Sequence, residues 1–122
     1  MAIVGFEITW EQRGAYKRFF GHVTDDELMR SVHEIESDER FDALRYVICD
    51  FLGIDTFDVT EDNVRIISAI DAAAAMTNPH IKIAVVATDA RVHGLAEVYA
   101  TAPWTAYETG IFRHLAEARA WI

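Results

Sequence analysis

Asp50, Asp55, Asp58 and Thr60 come nearest, among the residues of this sequence, to types and spacing that do chemistry. Carboxylate oxygens are what hard divalent cations select, and a carboxylate beside a histidine can move protons. The nearest such histidine is His93, in the segment Asp89-Ala90-Arg91-Val92-His93. A crevice lined by Asp50, Asp58, Thr60, Asp89, Arg91 and His93 is therefore the expected ligand or regulatory site. The aspartate spacing matches no metal-ligand loop, and no nucleophile has a convincing partner. There is also no glycine-rich phosphate loop, no His-Glu-x-x-His and no paired-cysteine motif. No catalytic residue, metal or cofactor is assigned on this basis. Cys49 stands in an apolar run where burial suppresses the thiolate, so it reads as core. His22, His33, His80 and His114 are scattered singly and read as surface residues.

The elements that must position these residues follow from pattern. Tyr46 to Cys49 is a short β-prone apolar run, as in a central strand covered on both faces. Asp50 to Thr60 then reads as a loop at the carboxyl end of that strand, where open α/β sheets collect ligands. Thr60 caps a helix: its hydroxyl accepts from the Asn63 N–H, Glu61 and Asp62 sit at the positive end, and Val59 staples to Val64. Val64, Ile67, Ile70 and Ala74 make its inner side, and Asn78-Pro79 ends it.

Upstream, Ala2–Trp10 and Ala15–Phe20 flank the turn Gln12-Arg13-Gly14 and predict an antiparallel hairpin. Thr24-Asp25-Asp26-Glu27 is a capping box opening a helix with Leu28, Val32 and Ile35 inward, and Asp25, Asp26, Arg30, Glu34 and Glu36 in solvent. Ser37 to Asp42 is a polar connection. Downstream, Ile81–Ala87 predicts a strand parallel to the central one, and Thr88-Asp89 caps a helix buried along Val92, Leu95, Ala96 and Tyr99. Pro103-Trp104 breaks the pattern, Tyr107–Arg113 gives the last strand, and Leu115, Ala118 and Trp121 line a short helix. The order β-β-α-β-α-β-α-β-α predicts an α/β sandwich on a mixed, mostly parallel sheet with an antiparallel N-terminal hairpin, forming one domain over residues 1–122.

Eleven basic against 20 acidic residues give a formal charge of -9, which repels nucleic acid and anionic membrane surfaces. The start of the chain lacks the pattern of a signal peptide, and no uncharged stretch is long enough to span a bilayer. With one cysteine, suited to a reducing compartment, the expectation is a cytoplasmic protein without membrane insertion. Tyr99, Trp104 and Tyr107 form a candidate interface or apolar pocket, because an aromatic ring following a proline in a break between elements tends to stay partly exposed.

Over nearly its whole length the chain resembles the SpoIIAA-like family, relatives of the STAS domains of anti-sigma-factor antagonists and anion-transporter tails. The resemblance rests on Gly21-His22-Val23-Thr24-Asp25-Asp26-Glu27 after a hairpin, the strand ending Ile48-Cys49-Asp50-Phe51-Leu52-Gly53, and the strand Lys82-Ile83-Ala84-Val85-Val86-Ala87. The segments His93-Gly94-Leu95-Ala96 and Phe112 to Ile122 complete it. It implies a non-enzymatic binding or regulatory module acting as a homodimer or higher homo-oligomer with a protein partner. Phosphorylated STAS antagonists carry Asp-Ser-Ser-Gly where this chain has Asp58-Val59-Thr60-Glu61. Thr60 stands at the acceptor position, but the first Ser and the Gly are absent, and a phosphate there would meet Asp58, Glu61 and Asp62. A helix cap is the better reading. Two alternatives stay open: a carrier of a lipid or other small apolar ligand, from the layout shared with Sec14-type domains, and an enzyme using Asp50, Asp58 and His93.

Overall fold

The computed structural model describes residues 5–122. In chain order the elements are β1 (Phe6–Glu11), β2 (Gly14–Thr24), α1 (Asp25–Glu36), a 3-10 turn (Glu39–Ala43), β3 (Tyr46–Asp58), α2 (Glu61–Ala74), β4 (Lys82–Val86), α3 (Ala90–Thr101), β5 (Glu108–Phe112) and α4 (Leu115–Trp121). The sheet order is β1-β2-β3-β4-β5. β1 and β2 pair antiparallel, and β2, β3, β4 and β5 run parallel. This is the α/β architecture and element order that the sequence predicts. The Ala2 to Val4 part of the expected first strand lies outside the described residues.

The sequential strand order decides where the helices go. Parallel crossovers are right-handed as a rule, and all three here step in the same direction across the sheet, which puts α1, α2 and α3 on one face. The cores follow that division. Phe19, Val47, Val64 and Val92 belong to a large cluster under the three helices, whereas Ile48, Ala84, Val86 and Ala118 form a small one beneath α4. β3 is the central strand and is covered on both sides.

Two boundaries differ from the sequence reading. Asp50 to Asp58 is strand rather than loop, and β2 runs on past Phe20 to Thr24. Beyond Asp50, β3 pairs with β2 alone, because β4 stops opposite Asp50 at Val86. The register slips between Arg18 and Phe20 and again between Gly21 and His22. Those slips absorb residues of β3 that have no partner, so a glycine- and aspartate-containing stretch that looks like a loop can still run extended. Phe51 and Phe57 keep it anchored: Phe51 stacks on Phe19, and Phe57 packs edge-on to Phe51.

Most local signals act as read. Thr24, Thr60 and Asp89 each accept from the first turn of the helix they cap. The capping box is one-sided: the Thr24 hydroxyl accepts from Glu27 N, while Glu27 Oε2 has no partner among the described residues. Asn78 does more than end a helix. Its Nδ2 donates to the carbonyls of Phe41 and Leu44, both at 2.9 Å, and its Oδ1 accepts from His80 N, tying the 3-10 turn to the chain after α2.

Gly21 sits at the second register slip with φ +68°, in the left-handed region. No atom lies within 4 Å of where a Cβ would be at Gly21, nor at Gly94 inside α3. Substitution at either site therefore changes backbone energetics alone, with opposite signs. Gly21→Ala should lower the free energy of urea unfolding by about 1–2 kcal/mol, and Gly94→Ala should raise it by about 0.5–1 kcal/mol.

Candidate functional site

Period two along β2 turns Ala15, Lys17 and Phe19 to the helix side. Lys17 is only 5% exposed, and its Nζ donates to Ser31 Oγ of α1 at 3.1 Å. Opposite it on β3 stands Cys49. Helix periodicity brings further polar groups to the same interior. In α2 the buried positions are Val64, Ile67, Ser68 and Asp71, so an aspartate falls on the apolar stripe. From α3, Tyr99 OH donates to Asp71 Oδ2 at 2.5 Å. Tyr107, just before β5, is 4% exposed, and its hydroxyl has no partner among the described residues.

These groups stand at the wall of a cavity of about 110 Å³ between the sheet and α1, α2 and α3. Val47, Cys49 and Val85 line its sheet side; Val32, Val64 and Val92 line its helix side. Lys17, Glu36, Asp71, Tyr99 and Tyr107 supply the polar groups of an otherwise apolar lining.

Glu36 corrects the sequence reading. It was assigned to the solvated face of α1, yet it is half-buried and lines the cavity. Burial, then a hydrogen bond to Asp71 and the charge of Asp71, push its carboxyl up to about 9; Lys17 acts the other way. Glu36 thus keeps its proton at neutral pH. Burial pushes the Cys49 thiol up, the Tyr99 hydroxyl up with help from Asp71, and the Tyr107 hydroxyl up with help from Asp71 and Glu36.

The sequence-predicted residues fall in three places. Asp50 is on β3, buried, with Tyr16 OH donating to its Oδ2 and Leu52 N to its Oδ1 at 2.9 Å. Burial and that bond push Tyr16 up to about 12. Asp58 is exposed at the far end of β3, opposite Thr24. β2 covers the same span from Arg18 to Thr24, so at roughly 3.3 Å per residue Asp58 is held about 20 Å from Asp50. Thr60 stays near Asp58, but its hydroxyl is fully used: it donates to Asp25 Oδ2 at 3.0 Å and accepts from Asn63 N at 3.2 Å. Thr60 N also donates to Asp25 Oδ1 at 2.9 Å.

Arg91 donates to the Val59 carbonyl at 3.0 Å, Asp89 caps α3, and a His93 ring nitrogen donates to the Ala87 carbonyl at 2.5 Å. Each of these side chains has a structural partner, and Asp50 is bonded to Tyr16 and Leu52 rather than to any of them. Among the described residues no group of three or more His, Cys, Asp or Glu side chains is placed to hold a metal ion. Of the aromatic candidates, Tyr99 and Tyr107 line the cavity, whereas Trp104 is 44% exposed and does not. Lys17, Glu36 and Asp71 were missed. The signal for Lys17 was strand parity, and that for Asp71 was its spacing from Val64 and Ile67.

The chain has a SpoIIAA-like α/β fold. Solved structures of SpoIIAA match it closely in shape. The unphosphorylated anti-sigma-factor antagonist does so at TM-score 0.60 and 12% identity, covering 95% of this chain and 94% of that one. The Bacillus cell-fate determinant SpoIIAA in its phosphorylated form matches at TM-score 0.63 and 11% identity, over 95% and 97%. An uncharacterised protein from Shewanella loihica PV-4 with a SpoIIAA-like fold matches at TM-score 0.55 and 15% identity, over 95% and 90%. No protein-family model and no curated protein matches the sequence. No helix among the described residues is long and apolar enough to cross a membrane.

The raised Glu36 carboxyl has a signed consequence for stability. Between the unfolded value near 4.5 and the folded value near 9, the native state binds more protons than the unfolded chain. The stabilisation is fully present below the unfolded value and is lost as pH rises toward the folded one. Urea unfolding should therefore show stability falling from pH 5 to pH 9. The slope should stay below the one-proton ceiling of about 1.4 kcal/mol per pH unit, because solvent screens a half-exposed group. Glu36→Gln should flatten that slope.

Proposed function

We propose that this chain is a non-enzymatic binding module on the SpoIIAA-like fold, and that it holds a small apolar molecule in the cavity beneath α1, α2 and α3. The observation that carries the reading is the cavity itself, about 110 Å³ of mostly apolar-walled space in a small protein. Protein interiors close-pack, with few voids larger than a water molecule. Apolar walls that face open space rather than packed atoms forgo van der Waals contacts, at a cost in free energy. A molecule that restores the lost contacts recovers part of that free energy on binding.

Size narrows the class. An engineered apolar cavity of about 150 Å³ takes benzene, so this one suits a ring or short chain of about five carbons, not a long lipid tail. A phosphate switch is the weaker regulatory reading. One structural neighbour is SpoIIAA in its phosphorylated form, but here the Thr60 hydroxyl is bonded on both sides, and Asp25 adds to the repulsion from Asp58, Glu61 and Asp62. The enzyme reading has no cluster to support it, since Asp50 and Asp58 are held far apart on β3.

The test is titration of the protein with cyclopentane, followed by amide chemical shifts. Shifts should concentrate on residues lining the cavity and should vanish in Ala96→Leu, which fills the space. No shift at saturating cyclopentane would remove the reading.

Self-association, in a cytoplasmic setting, is the second part of the proposal, favoured by Trp104 exposed after Pro103. Native mass spectrometry should give a dimer or larger assembly that Trp104→Ala converts to monomer. A strict monomer for the wild-type chain at high concentration would overturn it.

A further inference from the structure

We propose that the cavity selects a neutral molecule carrying one hydrogen-bonding oxygen, an alcohol or ketone on a body of about five carbons, with that oxygen on the Tyr107 hydroxyl. The proposal rests on the cavity being a ligand site and adds the chemical class of what enters it.

The polar groups around the cavity settle one another until a single group is left. Lys17 Nζ donates to Ser31 Oγ, and Ser31 Oγ donates to the Leu28 carbonyl at 2.7 Å. Tyr99 OH is held by Asp71, and Glu36 shares a hydrogen bond with Asp71. Among the described residues lining the cavity, only the Tyr107 hydroxyl is buried without a partner. A buried hydroxyl that has lost its water and gained nothing is unfavourable, so the group that answers it has something to gain. The backbone that carries the ring is held: Tyr107 leads directly into β5, and Thr109 Oγ1 donates to its carbonyl at 3.0 Å.

Charge sets the second condition. Most of the lining is apolar, with Val32, Val47, Val64, Val85 and Val92 among its walls, while Lys17 Nζ is bonded to Ser31 and Asp71 Oδ2 to Tyr99. A carboxylate or ammonium on the ligand would be stripped of water against that wall, which burial strongly disfavours. A neutral oxygen meets Tyr107 without that penalty.

Cyclopentane, cyclopentanol, cyclopentanecarboxylate and cyclopentylammonium make a matched series, measured against wild type and Tyr107→Phe by amide chemical shifts. Because the alcohol also sheds water on entering, the informative quantity is each ligand's change on substitution. Tyr107→Phe should weaken cyclopentanol about fivefold, the size of one ordinary net hydrogen bond, while leaving cyclopentane within about twofold. The two ions should fail to bind at concentrations where cyclopentanol saturates. Retained cyclopentane binding shows that Tyr107→Phe is folded with its cavity intact.

If cyclopentane binds but cyclopentanol is indifferent to Tyr107→Phe, the Tyr107 hydroxyl is answered by a resident water or left alone, and this inference falls while the cavity reading stands. If either ion binds as well as cyclopentanol, the neutrality condition is overturned. If no member of the series binds, both readings fall together.

Discussion

A lysine buried among apolar side chains is the constraint on which the helix side of this fold depends. Strand parity gives Lys17 no other direction, since Ala15 and Phe19 on the same face are fully buried. An ammonium removed from water must find polar partners nearby. Ser31 of α1 supplies one; Glu36 of α1 and Asp71 of α2, to which Tyr99 of α3 donates, stand around the same cavity. Three helices that topology places on one face are thereby tied to a single neighbourhood. Burial and then Asp71 push the Glu36 carboxyl up there, while Lys17 acts the other way.

The opposite face is organised on a different principle. α4 is short and its first residue has no side-chain cap, so it relies on contacts with the sheet. Arg119 forks onto Glu11 at 2.6 and 2.7 Å and lies over the Tyr16 ring, while Tyr46 OH donates to Glu11. The fork is geometrically strong. It is nevertheless partly exposed, with Arg119 at 39%, which limits its contribution. Asp50 belongs to this face through Tyr16, so the aspartate that looked most like a strand-end functional group is a hydrogen-bond acceptor in the sheet's second layer.

The elements were legible wherever the physics was local. Caps at Thr24, Thr60 and Asp89, the proline at 79 and the apolar runs of β3 and β4 each state their structure within a few residues. The stretch from Leu52 to Phe57 was misread because glycine and aspartate usually mark loops; its extension depends on β2, some thirty residues earlier, and on slips in register that no local pattern reveals. The crevice expected from Asp50, Thr60 and His93 assumed that the strand ended at Asp50, whereas β3 continues to Asp58. Tyr99 and Tyr107 were visible as aromatic candidates. Their convergence with Lys17 and Asp71 was not, because it needs the helices placed on the sheet.

That placement also explains where this protein has room for a ligand. At the end of β3, Thr60 is closed over by Asp25 and surrounded by acidic residues, so the position resembling a phosphate acceptor carries a helix cap instead. Space is found beneath the helices, because one face of the sheet must be roofed by three separate crossovers meeting over long strands. Where they meet, the lining is apolar except for the cluster that Lys17 requires. Fold leaves the use of such a place open. Under the proposed reading, a cavity bounded by valines and one unpartnered hydroxyl would discriminate first by size and last by a single hydrogen bond.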